Sequence, residues 1–104
     1  MGVLRIVKME FEEELVHDFD ALFGKIQSDI EGMPGCERVI LMKSSGSPNT
    51  RTTLSWWAHE DDLNNYRKST LFGEVWPQTK AKFAGKPLAW SVDWESTSGL
   101  PFGV

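Results

Sequence analysis

The stretch TLSWWAHEDDLNNYRKS, residues 53–69, gathers two tryptophans, a histidine, three acids, a tyrosine and an arginine. A histidine beside carboxylates can act as a general base, because neighbouring negative charge favours its protonated form. A tyrosine hydroxyl needs a partner when buried and can hold a phenolic substrate. His59 and Tyr66 are therefore the candidate catalytic residues. His59 also suits a purely structural place, at the start of a helix with Glu60, Asp61 and Asp62 in its first turn. The other histidine, His17, falls beside Asp18 and off the apolar stripe of its helix, which reads as a solvated position. Neither histidine has metal-ligand spacing to cysteines or acids, so no metal is expected. Cys36 has no histidine arranged to activate it. No Ser–His–Asp pattern or dinucleotide fingerprint occurs, and SGSPN reads as a turn. No cofactor is expected.

Aromatic residues carry the stronger signal. The chain holds 5 Trp, 1 Tyr and 6 Phe. Rings at helical spacing usually form core, yet a layer between sheet and helices filled largely with rings can leave a cavity. Trp57, Tyr66, Phe72, Trp76 and Trp90 are the expected substrate-binding residues. On one straight helix Tyr66 and Trp76 would stand about 80° apart, close enough to bracket a cavity with Phe72. Arg67 is expected to pair with Asp62 or bond Asn64 on its own helix. Arg5 and Asp93 are expected to form a cross-strand ion pair.

The elements that must position these residues follow from periodicity. The β-branched run in residues 1–10 reads as a strand. Leu15, Phe19, Leu22, Ile26, Ile30 and Met33 fall three or four apart, giving an amphipathic helix over 13–32. Glu12, Glu13 and Glu14 lie at its start, and Gly32, Pro34 and Gly35 end it. CERVILMKS (36–44) and TRTTLSWWA (50–58) read as strands of a hairpin. A helix begins at Glu60 and resumes after Ser69, with a kink or restart expected near Trp76 because Pro77 cannot donate its amide. KPLAWSVDW (86–94) alternates as a half-buried strand. The domain is expected to span 1–95, followed by a tail over 96–104.

The order βαββαβ predicts an α+β, ferredoxin-like fold: a four-stranded antiparallel sheet with helices on one face. Adjacent strand residues point to opposite faces, so Trp56 and Trp57 cannot both meet the helices. A sheet apolar on both sides calls for a second cover, and a second copy of the same sheet supplies one. A homodimer is expected.

Composition bounds the function. At 104 residues with 40% hydrophobic content, the chain has room for one core. A net charge of −4 with no basic stripe argues against nucleic acid as a partner. No apolar run is long enough for a membrane span, and the single cysteine fits a reducing compartment. The expected setting is the cytoplasm, without membrane contact.

MPGC after the first helix, SWWAHEDDLNNYRKSTLF across the third strand and second helix, and KPLAWSVD in the last strand together resemble the antibiotic biosynthesis monooxygenase family. The resemblance runs from Val3 to Asp93. It implies a dimeric α/β barrel, with a pocket in each protomer between sheet and helices. It also implies cofactor-independent monooxygenase activity on an aromatic or quinol-like molecule. In this family the counterpart of Tyr66 is commonly a pocket residue. The haem-degrading branch resembles the same scaffold but needs an asparagine near the end of the first strand. It also needs a tryptophan followed ten residues later by a histidine. Here the strand reads RIVKM and the matching pair is Tyr66 and Trp76, so haem degradation is disfavoured. The alternative expectation is a non-catalytic dimer that binds a small molecule or serves a stress response.

Overall fold

In a computed structural model, which describes residues 2–94, the elements are β1 (Gly2–Glu10), α1 (Val16–Glu31), β2 (Cys36–Ser44), β3 (Ser47–Trp57), α2 (Glu60–Arg67), α3 (Thr70–Lys80) and β4 (Leu88–Trp94). The four strands form one antiparallel sheet in the order β2-β3-β1-β4. This is the ferredoxin-like arrangement that the periodicities require. The tail assigned to 96–104, with Glu95, lies outside the described residues.

Several boundaries differ from expectation, each for a local reason. α1 begins at Val16 rather than residue 13, so Glu12, Glu13 and Glu14 precede it and Asp18 is the acid of its first turn. Phe11 makes an isolated bridge to Phe83, and Glu12 donates its amide to the Lys82 carbonyl at 2.9 Å, which holds this segment extended before the helix starts. The β2–β3 turn shrinks to Ser45 and Gly46, whose φ of 81° favours glycine. β3 therefore starts at Ser47, and Pro48 enters it beside a register irregularity, where a missing amide costs little. The restart expected near Trp76 does not occur, since α3 runs from Thr70 to Lys80. The second helical region does break at Lys68–Ser69, as its sequence implies. There the Ser69 hydroxyl accepts from the Phe72 amide at 3.2 Å and caps α3, while Pro77 lies inside α3.

The alternation of β1 and β3 sorts the sheet into two faces. Val3, Val7, Met9 and Trp57 point to the helices and join Phe19, Phe23 and Ile30 of α1 in the core. Leu63 of α2 closes one side of it. Buried within this layer, Arg51 is clamped by Asp20 through two bonds of 2.8 and 2.9 Å. It also donates to the carbonyls of Pro48 and Thr50. The opposite face carries Leu4, Ile6, Leu54 and Ile40 in its middle, with Trp90 and Val92 exposed beside them. No described helix covers that face.

Candidate functional site

The cavity between sheet and helices exists because the cross-strand rows beneath it are built from small side chains. Register places Ser55 and Ser91 on either side of Arg5, and Thr53 and Ala89 on either side of Val7. Larger residues there would fill the space. What remains is a cavity of about 150 Å³, roofed by Phe19, Phe23, Tyr66, Phe72 and Trp76.

These rings belong to one continuous arc. Trp57 stacks on Tyr66 at 5.1 Å, Tyr66 meets Phe72 edge-on at 5.3 Å, and Phe72 stacks on Trp76 at 5.7 Å. Trp76 then touches Phe83, which leads through Phe11 to Phe19 and Phe23. Each centroid spacing lies in the range where offset or edge contacts are favourable. The arc therefore packs the cavity wall chiefly through ring contacts.

The expected site residues separate into three groups. Tyr66, Phe72 and Trp76 line the cavity together. They do not share one straight helix: Tyr66 lies in the last turn of α2, whereas Phe72 and Trp76 lie on α3. The Ser69 junction, not a rotation of about 80°, brings them together. Trp57 stands behind the wall, fully buried, with its indole nitrogen donating to Ser55 Oγ at 2.9 Å and its ring against Tyr66. Trp90 pairs with Ile6 on the opposite sheet face and is 44% exposed, so within the protomer it does not reach the cavity. His59 is the N-cap position of α2, exposed, with Nδ1 3.8 Å from Asp61. It too lies outside the lining. Among the described residues, no group of three or more histidine, cysteine or acidic side chains gathers at one point.

Tyr66 is the one phenol of the chain, and burial pushes its hydroxyl up to about 12, with the nearby Cys36 adding to the effect. The group stays neutral at ordinary pH and is therefore available as a hydrogen-bond donor. Among the described residues its hydroxyl has no hydrogen-bond partner; the bond near it is the Ser69 hydroxyl donating to the Tyr66 carbonyl at 2.6 Å. Cys36 is likewise driven up, to about 11, chiefly by burial, which leaves it an unreactive thiol.

Arg5 and Arg67 were not anticipated at the cavity. The expected Arg5–Asp93 pair does not form: Arg5 lies opposite Ser91 and donates to its hydroxyl at 3.2 Å, while Asp93 lies opposite Val3. No ion pair joins Arg67 to Asp62 among the described residues. Both arginines line the cavity instead. The alternation of small residues Thr53 and Ser55 with bulky neighbours was the available signal for this floor.

A family model described as antibiotic biosynthesis monooxygenase matches residues 2–76. Among curated proteins, none matches the chain. Among solved structures, a conserved protein from Methanosarcina mazei Go1 superposes with a TM-score of 0.86 at 18% identity, covering 91% of this chain and 94% of that one. An antibiotic biosynthesis monooxygenase superposes at 0.82 with 14% identity, covering 90% and 99%. SnoaB, a cofactor-independent oxygenase from Streptomyces nogalater, superposes at 0.79 with 14% identity, covering 96% and 97%. At such identities the superpositions show a common fold.

Proposed function

This chain belongs to the antibiotic biosynthesis monooxygenase family, and from that premise we propose that it is a cofactor-independent monooxygenase acting on a phenolic or quinol-like small molecule. The observation that carries the reading is Tyr66: a neutral hydroxyl donor, without a partner among the described residues, set in the wall of an aromatic-lined cavity. The likeness in fold to SnoaB supports the same class of chemistry.

In this reading the substrate supplies the electrons. A phenol and dioxygen give a quinone and water: one oxygen atom becomes the new ring carbonyl, and the other leaves as water with the ring hydrogen and the phenolic hydrogen. The protein's part is positioning. The Phe72 and Trp76 rings hold the substrate plane, the Tyr66 hydroxyl donates to the substrate oxygen as negative charge builds there, and the arc keeps water away. His59, exposed at the start of α2, takes no part.

The working unit is a homodimer joined through the apolar sheet face of Leu4, Ile6, Leu54 and Trp90, since a second sheet is the natural cover for such a face. Cys36 retained as a free thiol supports a cytoplasmic setting. No described helix is long and apolar enough to cross a membrane.

Oxygen uptake with a panel of phenols and hydroquinones tests the proposal. Stoichiometric oxygen consumption with quinone formation, reduced in Tyr66→Phe, is the expected result. Binding of the panel without oxygen uptake would instead mark a non-catalytic binding protein.

A further inference from the structure

Three arginines lie on the helix-facing side of the sheet or beside it, and their surroundings differ. Arg51 has its carboxylate, Asp20, in a two-bond clamp. Arg5 sits in the middle of β1 on the cavity floor, with one hydrogen bond, to the neutral Ser91 hydroxyl. Arg67 lines the same cavity from the end of α2. Neither Arg5 nor Arg67 is in an ion pair among the described residues, whose pairs gather around Asp20 and between His59 and Asp61.

Arg5 is half-buried and Arg67 exposed, and a partly desolvated guanidinium without an anion beside a second positive charge is unfavourable. Both effects act on Arg5, which is held below its ordinary value first by burial and then by repulsion from Arg67. Arg67 by itself has an ordinary role, since a cation suits the last turn of a helix. Arg5, mid-strand, has no such role. Two forked donors lining one cavity are suited to recognising a planar oxyanion.

We propose that the cavity selects aromatic substrates bearing a carboxylate, held by Arg5 and Arg67 while the ring lies against Phe72 and Trp76. The proposal rests on reading the cavity as an aromatic-substrate site. The cavity, about 150 Å³ and open on the side of Ala89, accommodates a single ring with small substituents. The class is thus the hydroxylated benzoates, chosen by the two guanidinium groups rather than by size.

Gentisate, a hydroquinone carboxylate, and gentisamide, its neutral amide, share a ring and differ in charge. Their binding to the full chain is measured under nitrogen by calorimetry and tryptophan fluorescence. Gentisate is expected to bind at least about tenfold more tightly, the factor that one charge-assisted contact supplies. Arg5→Gln and Arg67→Gln are each expected to cut that preference, read as the ratio of the two affinities, below about threefold, and added salt should narrow it. Arg67→Gln changes an exposed helix end, so it keeps the test valid even if Arg5→Gln fails to fold, which circular dichroism reports. Equal affinity for both ligands, or a preference that survives Arg67→Gln, overturns the carboxylate proposal and leaves the aromatic site standing. Absence of binding by both ligands overturns the two readings together.

Discussion

Tyr66 lies against Trp57 with ring centroids 5.1 Å apart and planes 25° from parallel, joining the last turn of α2 to the end of β3. This contact fixes the half-buried phenol in the cavity wall, and its ionisation reports that burial directly because the chain has one tyrosine. Phenolate absorbance should rise with a midpoint near 12 rather than 10. The folded state holds the proton longer than the unfolded one. The resulting stabilisation is therefore complete below pH 10 and is lost as pH rises through the folded value of about 12. A midpoint near 10 in the native protein would place the hydroxyl in water.

Replacing Tyr66 by Phe keeps the stack and removes the donor. The fold should persist, with an unchanged far-ultraviolet spectrum, while affinity for a phenol that binds the wild type weakens by ~1–3 kcal/mol. Unchanged affinity and turnover across all ligands that bind would make Tyr66 ordinary packing.

Trp57 and Trp76 belong to one arc but differ in depth, since Trp57 is fully buried and Trp76 only partly so. Trp57→Ala should cost about 3–5 kcal/mol in urea unfolding, the usual range for deleting a core aromatic ring. Trp76→Ala should cost less stability and more ligand affinity. The reverse order would mean that Trp76, not Trp57, anchors the layer.

Asp20→Asn removes the carboxylate from a nearly buried Arg51 and leaves its charge uncompensated. Loss of about 3 kcal/mol is expected from chemical denaturation at neutral pH. The hydrogen bond from Arg51 holds the Asp20 carboxyl below its ordinary value. Its contribution is thus present above the unfolded value of 3.8 and disappears as pH falls through the folded one. The Asn variant should accordingly show a flatter acid-denaturation curve than the wild type.

The uncovered sheet face predicts assembly. Light scattering at micromolar concentration should give twice the chain mass of 11.8 kDa, and Ile6→Asp should return it to the mass of one chain. A wild-type monomer would leave the apolar face to another partner.

The strand and helix order was legible from the sequence because hydrophobic period distinguishes the two forms locally. Alternation in LAWSVDW and the three-to-four spacing from Phe19 to Ile30 need no distant information. The same alternation established that Trp56 and Trp57 occupy opposite faces, and composition alone flagged an aromatic interior. Which face each tryptophan meets was decided by the side on which α1 and α2 dock. That choice buries Trp57 against Tyr66 and sends Trp90, which shares its spacing pattern, to the outer face. The partners of Arg5 were equally hidden: cross-strand register sets it opposite Ser91 and not Asp93, and a shift of two residues is invisible in either strand by itself. Tyr66 and Trp76 meet through a break at Ser69 whose cap is local, but the cavity they enclose depends on small residues from β3 and β4 arriving beneath them. A helix or strand is written in neighbouring residues. A cavity is the space left where four distant segments fail to fill a layer, and only the assembled chain determines it.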